Sequence, residues 1–148
     1  MSTKQIKLKV VTPEKLILEE LVDSVTVPTT EGEIGILPDH VPLVAGLKSG
    51  DIVANTNGEE VPMAVVGGFV EVNKVEGVTT VVILADFAEH VGELSDEAIE
   101  RAHARAAELK KAMEDKEHVD FEHFESELER SITRIKIADK WRSKKYRK

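Results

Sequence analysis

Two periodicities divide this chain. Up to about Asp86 its apolar residues fall in short runs broken by turn residues, whereas beyond Gly92 they recur at the three-and-four spacing of a helix. The chain therefore reads as strands followed by helices. Candidate strands cover 6–11, 15–18, 22–27, 33–37, 43–47, 51–54, 60–66, 69–72 and 78–84, separated by turn residues such as Thr12-Pro13, Pro38-Asp39, Ser49-Gly50, Asn57-Gly58 and Glu76-Gly77. Strands this short, with turns at a spacing of roughly eight to twelve residues, predict an antiparallel β-sandwich or barrel. Asn57-Gly58 is the clearest hairpin turn, because both residues tolerate the positive φ of a type I′ turn. With 41% hydrophobic but only 4% aromatic residues, the core must be built from Val, Ile and Leu, which favour strands.

The second grammar predicts an antiparallel α-helical hairpin. Ser95 is placed to cap a first helix, with Asp96 and Glu97 in its positive first turn. Ile99, Ala102, Ala106, Leu109 and Met113 form its apolar stripe, and the two alanines permit close approach of another helix. After a polar break at Asp115-Lys116-Glu117-His118, Asp120 is placed to cap a second helix, with Val119 stapled on Phe124. Its stripe is Phe121, Phe124, Leu128, Ile132, Ile135 and Ala138. The expected division is a β-sandwich domain over 1–88 and a helical hairpin domain over 89–148. Such a hairpin has one seam and little core of its own, so what it docks on should set its position.

Charge follows the same division. The net charge is −8, but from Arg130 onward nine Lys or Arg face the single Asp139, giving +8 and leaving −16 on residues 1–129. An acidic body argues against general nucleic-acid binding, which needs an extended positive surface. With no cysteine there is no disulfide framework, thiol nucleophile or Cys-based zinc site. The five histidines lack metal-ligand spacing, so no metal site is expected. No apolar run approaches the roughly 20 residues of a spanning helix, and the polar start Met1-Ser2-Thr3-Lys4 does not read as a signal peptide. Any membrane association is expected to run through a protein partner.

One stretch is too position-specific for an ordinary loop: Glu31-Gly32-Glu33-Ile34-Gly35-Ile36-Leu37-Pro38-Asp39-His40-Val41-Pro42-Leu43. It reads as a strand between two turns, with Gly32 and Gly35 suited to positive φ or close backbone approach and Pro38-Asp39 presetting the closing turn. On an extended chain Glu31 and Glu33 share one face and Ile34 and Ile36 the other. The stretch closely resembles the signature of the epsilon subunits of bacterial F-type ATP synthases. The resemblance continues through Lys48-Ser49-Gly50, Gly67-Gly68-Phe69-Val70-Glu71-Val72 and the segment from Val78 to Asp86, then through both helices.

That resemblance implies a non-catalytic central-stalk subunit, coupling the rotor shaft to the membrane ring for proton-driven ATP synthesis and restraining ATP hydrolysis through its C-terminal helices. It implies the gamma subunit and the c-ring as partners of the sandwich, at Glu31, Glu33 and His40. The beta and alpha subunits are the implied partners of the second helix, at Arg130, Arg134, Lys136, Lys140 and Trp141. The implied location is the cell membrane, peripherally, on the cytoplasmic side of a bacterium. Some members bind ATP on the hairpin through Ile-Asp-x-x-Arg-Ala. Here Arg101-Ala102 match its end, but Glu97 and Ala98 occupy the Ile and Asp positions, and Asp96 lies two residues too early. Arg130 and Arg134 share a helix face and could supply phosphate contacts, yet these departures argue against tight ATP binding, and no cofactor is expected.

Other readings compete with this one. The main alternative is a free-standing adaptor with a protein-binding sandwich and a dimerising basic hairpin. Glu31 and Glu33 as an acid/base pair would require one desolvated member, but a strand face beside a glycine turn is wet. There is no GxxxxGK[ST] phosphate loop, and Gly67-Gly68 leads into a strand, so the chain is not expected to be an enzyme.

Overall fold

The computed structural model describes residues 4–114 and 121–142. Ten strands run in order: β1 (Ile6–Val11), β2 (Leu16–Val22), β3 (Ser24–Thr29), β4 (Gly32–Ile36), β5 (Leu43–Gly46), β6 (Gly50–Thr56), β7 (Glu59–Val66), β8 (Phe69–Val75), β9 (Val78–Leu84) and β10 (Phe87–His90). A 3₁₀ turn (Val91–Glu93) leads into α1 (Asp96–Met113), and α2 (Phe121–Trp141) follows. The strands form two five-stranded sheets, β2-β1-β9-β8-β5 and β10-β7-β6-β3-β4. The expected sandwich followed by a helical hairpin is the fold found.

Alternation packs the two sheets together. In the first, Leu8, Val10, Val70, Val72, Val81 and Ile83 point inward; in the second, Val25, Val27, Ile36, Ile52 and Met63 meet them, all at 0 or 1% exposure. This core is aliphatic, as the composition requires. Each such side chain contributes on the order of 1.5–3 kcal/mol by leaving water.

Several details depart from the sequence reading. One pairing is parallel: β1 lies alongside β9, Lys7 opposite Thr80. The run read as 22–27 breaks at Asp23, where the chain leaves the first sheet for the second, and the Asp23 carboxylate accepts the Asn57 N–H at 2.7 Å. β2 runs through Glu19-Glu20 to Val22 because it is an edge strand whose outer face is wet. β10 went unread, being only four residues long, but it pairs with β7 from Phe87 opposite Val66 to His90 opposite Met63.

Backbone geometry bears out most of the turn chemistry. Asn57 and Gly58 both have positive φ, 52° and 80°, and Gly32 lies at 116°. Gly35 has neither a positive φ nor a close neighbour, so the structure requires no glycine there. Gly68 is different: φ is 104°, and an added Cβ would run into the Leu84 carbonyl oxygen and lie 2.8 Å from the Ala85 Cα. Only glycine allows β8 to start so close to the end of β9.

In α1 the Ser95 hydroxyl accepts the Ala98 N–H at 3.1 Å, and Ile99, Ala102, Ala106 and Leu109 are buried as expected. The expected α2 stripe is only partly borne out, and the Phe121 side chain lies outside the described residues. Ala138 is buried, but Phe124, Leu128, Ile132 and Ile135 are half-exposed. Ser131, Thr133, Ile137 and Trp141 are buried instead. The cause is a second seam: α2 also lies on the outer face of the second sheet, where Ile137 and Trp141 pack with Ala64 and Val91. The expected turn 115–118, the Asp120 cap and the Val119 staple lie outside the described residues.

Candidate partner-binding surfaces

The signature stretch is held at both ends. At the first turn the Thr29 hydroxyl donates to the Gly32 carbonyl and accepts the Glu31 N–H at 3.2 Å. Glu31 and Glu33 project from this end of β4, both exposed, while Ile34 and Ile36 turn inward. At the other end Asp39 occupies a left-handed conformation, φ 69°, and its N–H donates to the Thr79 hydroxyl on β9 at 2.7 Å. Its carboxylate bridges Lys4 at 2.7 Å and Lys74 at 2.8 Å, and hydrogen bonds from these two ammonium groups hold its pKa down at about 2. A depressed carboxylate keeps its native pairing above the ordinary carboxylate range, so this tether is lost only as pH falls towards 2.

His40 is half-buried beside that post. Its Nδ1 lies 2.7 Å from the Val41 carbonyl oxygen, and since a carbonyl only accepts, Nδ1 carries the proton. Among the described residues no hydrogen bond is made to Nε2. Leu37 and Val41 flank it at 62% and 70% exposure. Glu31 and Glu33 thus share one end of β4, and His40 stands beyond the other.

A second surface was not read from the sequence. Phe69 and Leu84 are paired neighbours on the outer face of the first sheet, exposed at 60% and 53%, and Val44 on β5 shares that face. Neighbouring exposed apolar side chains of this size make this face a candidate contact surface. Alternation signalled two-faced strands here, but it could not show that the second face would be apolar as well.

The hairpin carries the third group. Arg101, Arg105, Arg130 and Arg134 line a cleft of about 780 Å³ together with Phe87, Glu89 and Glu127. The cleft brings together Arg101, Arg130 and Arg134, the three arginines weighed for nucleotide, while Asp96, the displaced acid of the first-helix motif, does not line it. Arg130 and Arg134 stand over the Phe87 ring, 5.3 and 4.8 Å from its centroid, and Arg134 also donates to Glu89 at 2.7 Å. Arg105 clamps the two helices by a two-point contact to Glu127, at 2.6 and 3.0 Å. Hydrogen bonds from Arg105 push the Glu127 carboxyl below its ordinary range.

At the C-terminal end of α2 the side chain implied as a partner contact is seated on the sheet. Trp141 is buried at 2% exposure, the largest buried side chain, because it lies one turn from Ile137 on the face that meets the sheet. Its indole N–H donates to Asp51 at 2.9 Å, and Lys140 pairs with the same carboxylate at 2.8 Å. Arg134 and Lys140 are thus engaged within the chain, whereas Lys136 is exposed. No helix of the described residues is long and apolar enough to cross a membrane.

Residues 5–91 match the family model described as ATP synthase, Delta/Epsilon chain, beta-sandwich domain. The ATP synthase epsilon chain of Syntrophobacter fumaroxidans is 37% identical over 136 residues, covering 92% of this chain and 97% of its own. That of Desulforamulus reducens is also 37% identical, over 90% of this chain and 96% of its own. Among solved structures, a chain of the Euglena gracilis mitochondrial ATP synthase, OSCP/F1/c-ring, superposes with a TM-score of 0.67 at 26% identity, covering 87% of this chain and 78% of that one. A chain from the central stalk and c-ring of the Tetrahymena thermophila enzyme, at 16% identity and a TM-score of 0.54, shares the fold. With its sandwich, its hairpin and nearly its full length matched, this chain belongs to the epsilon-chain family of the F-type ATP synthases, as a non-catalytic subunit of that complex.

Proposed function

We propose that this subunit couples the rotor shaft to the membrane ring through its sandwich and restrains ATP hydrolysis through its hairpin. The observation that supports the reading is the separation of two cores. The sandwich closes an aliphatic core made only of residues between Ile6 and Ala88, and the hairpin attaches outside it through a small cluster around Trp141. A rigid body with a detachable arm suits a part that turns with its neighbours and also senses the state of the enzyme. The free-standing adaptor has no comparable support, since full-length relatives are ATP synthase epsilon chains.

In this reading the gamma subunit and the c-ring take the sandwich, with Glu33, His40 and the exposed Leu37 and Val41 at the contact. Charged groups there fix register more than they add affinity. The beta and alpha subunits meet the cationic face of α2 once it leaves the sheet. The protein then sits peripherally at the cytoplasmic side of the membrane. Replacing Glu33 and His40 together by Ala is expected to weaken ATP-driven proton pumping and leave the thermal stability of the isolated subunit unchanged, since both side chains lie outside the core. Unaltered pumping in reconstituted vesicles would overturn this assignment.

Nucleotide is at most a weak regulatory ligand in this reading. A phosphate entering the arginine cleft must compete with Glu89 for Arg134 and with Glu127 for Arg105, while the acidic position of the first-helix motif is Ala98. Titration calorimetry of ATP into the isolated subunit is expected to give no dissociation constant at or below about 1 μM, roughly −8 kcal/mol. A tighter constant would show that the carboxylates yield their arginines to phosphate.

A further inference from the structure

We propose that Asp51 is the latch of the hairpin: one buried carboxylate on β6 receives both the Lys140 ammonium and the Trp141 indole N–H, and so decides whether the end of α2 is seated. Its Oδ2 lies 2.8 Å from Lys140 Nζ and 2.9 Å from Trp141 Nε1, joining positions 89 and 90 residues apart in sequence. Asp51 is 8% exposed although it alternates with the core residue Ile52 and so sits on the outer face of the second sheet. What covers it is the last turn of α2, with Trp141 packed on Ala64, the residue paired with Asp51 across β7.

Among the described residues, the Arg134–Glu89 and Ser49–Glu129 hydrogen bonds also tie α2 to the sandwich, and both are wetter. Arg134 and Glu89 keep 36% and 20% of their side-chain surface, and the Ser49–Glu129 hydrogen bond is exposed. The Asp51 side chain keeps 10%. A hydrogen bond to a charged group is stronger where water is excluded, and a carboxylate that loses its donors in such a place is costly to keep dry. Seating is therefore most sensitive at this end. Farther back, the clamp of Arg105 on Glu127 joins α2 to α1 and not to the sheet. When the latch opens, α2 lifts from its C-terminal end, freeing Lys140 and Trp141 together while the two helices stay paired. Those side chains cannot serve the sheet and an outside partner at once, so seated and engaged forms exclude each other.

Trp141 is the only tryptophan in the chain, so its fluorescence reads the latch directly in the isolated full-length subunit. Asp51→Ala is expected to lower the ratio of seated to lifted forms about tenfold or more. Indole emission should move to longer wavelength and acrylamide quenching should rise several-fold, with the sandwich still unfolding cooperatively in urea. Asp51→Asn, which keeps an acceptor for the indole without the charge, should fall between. Wild-type emission and quenching in Asp51→Ala would overturn the latch. Should that variant fail to fold, exposed Lys140→Gln decides: increased quenching supports the latch and unchanged quenching overturns it. The latch depends on the regulatory reading of the hairpin only for its effect on hydrolysis. Lower hydrolysis by enzyme assembled with Asp51→Ala supports both, and spectroscopic release with unaltered hydrolysis keeps the latch and removes the regulatory reading.

Discussion

Deleting residues 120–148 is expected to raise ATP hydrolysis by the assembled enzyme several-fold. The deletion removes α2 and with it nine of the chain's 20 Lys and Arg residues, but no member of the sandwich core. The fragment should therefore still assemble, since the seam with α1, the ion pairs of α2 and the small cluster that Ile137 and Trp141 make with Ala64 and Val91 all lie outside that core. Neutralising Arg130, Arg134, Lys136 and Lys140 together should give a smaller rise. Arg134 and Lys140 also hold the hairpin down through Glu89 and Asp51, so their loss frees the arm while weakening its grip on a partner. Exposed Lys136 has no such double duty, and replacing it alone should change little, an exposed pair contributing about 0–1 kcal/mol. Hydrolysis assays on reconstituted complex at low and high ionic strength measure all three. Equal rates for wild type and truncation would leave the basic helix without a regulatory role.

Gly68→Ala is expected to lower the stability of the sandwich by at least about 3 kcal/mol, combining a strained backbone with a steric collision. The methyl group would enter the space of the Leu84 carbonyl and the Ala85 Cα, which are backbone and cannot swing aside as a side-chain tip would. Relief requires β8 and β9 to part where Phe69 pairs with Leu84, and Leu47, whose N–H donates to the Gly68 carbonyl at 2.8 Å, is drawn along. Urea unfolding of the isolated subunit, followed by circular dichroism, checks the loss. Gly35→Ala is the control: its φ is not positive and nothing lies within 4 Å of an added Cβ, so its effect should be small.

What could be read from the sequence follows from how local each signal is. Eight of nine candidate strands are found with ends shifted by three residues or fewer, and the ninth, 15–18, extends four residues further to Val22. Period and turn residues act within a few positions of one another. β10 escaped because four residues carry too little pattern, and its pairing with β7 is a tertiary fact. The parallel β1–β9 pairing is likewise invisible to rules about neighbouring turns. At the candidate sites the sequence could indicate which residues were charged, but not which would already be engaged inside the chain. Nothing in the sequence around Trp141 showed that in this structure its ring would be buried against the sheet. Asp51 was the missing clue: a lone acid at the start of an apolar run, placed where a helix from the far end of the chain supplies its donors.

The parallel pairing of β1 with β9 also sets when the protein can fold. Val11 lies opposite Leu84, so the first sheet has no complete centre until the ninth strand exists. Four of the eight neighbouring pairs, β1–β2, β3–β4, β6–β7 and β8–β9, are joined by short turns and can find one another early, but the β1–β9 pair must close a loop of about seventy residues, and that search comes before its contacts repay it. On the ribosome β1 and β2 must wait as a lone hairpin while the rest of the sandwich is made. Release of β9 then completes the sheet in one cooperative event, before most of the hairpin has been synthesised. The arm is thus added to a finished body, and its seating can be set and reset without reopening the fold beneath it.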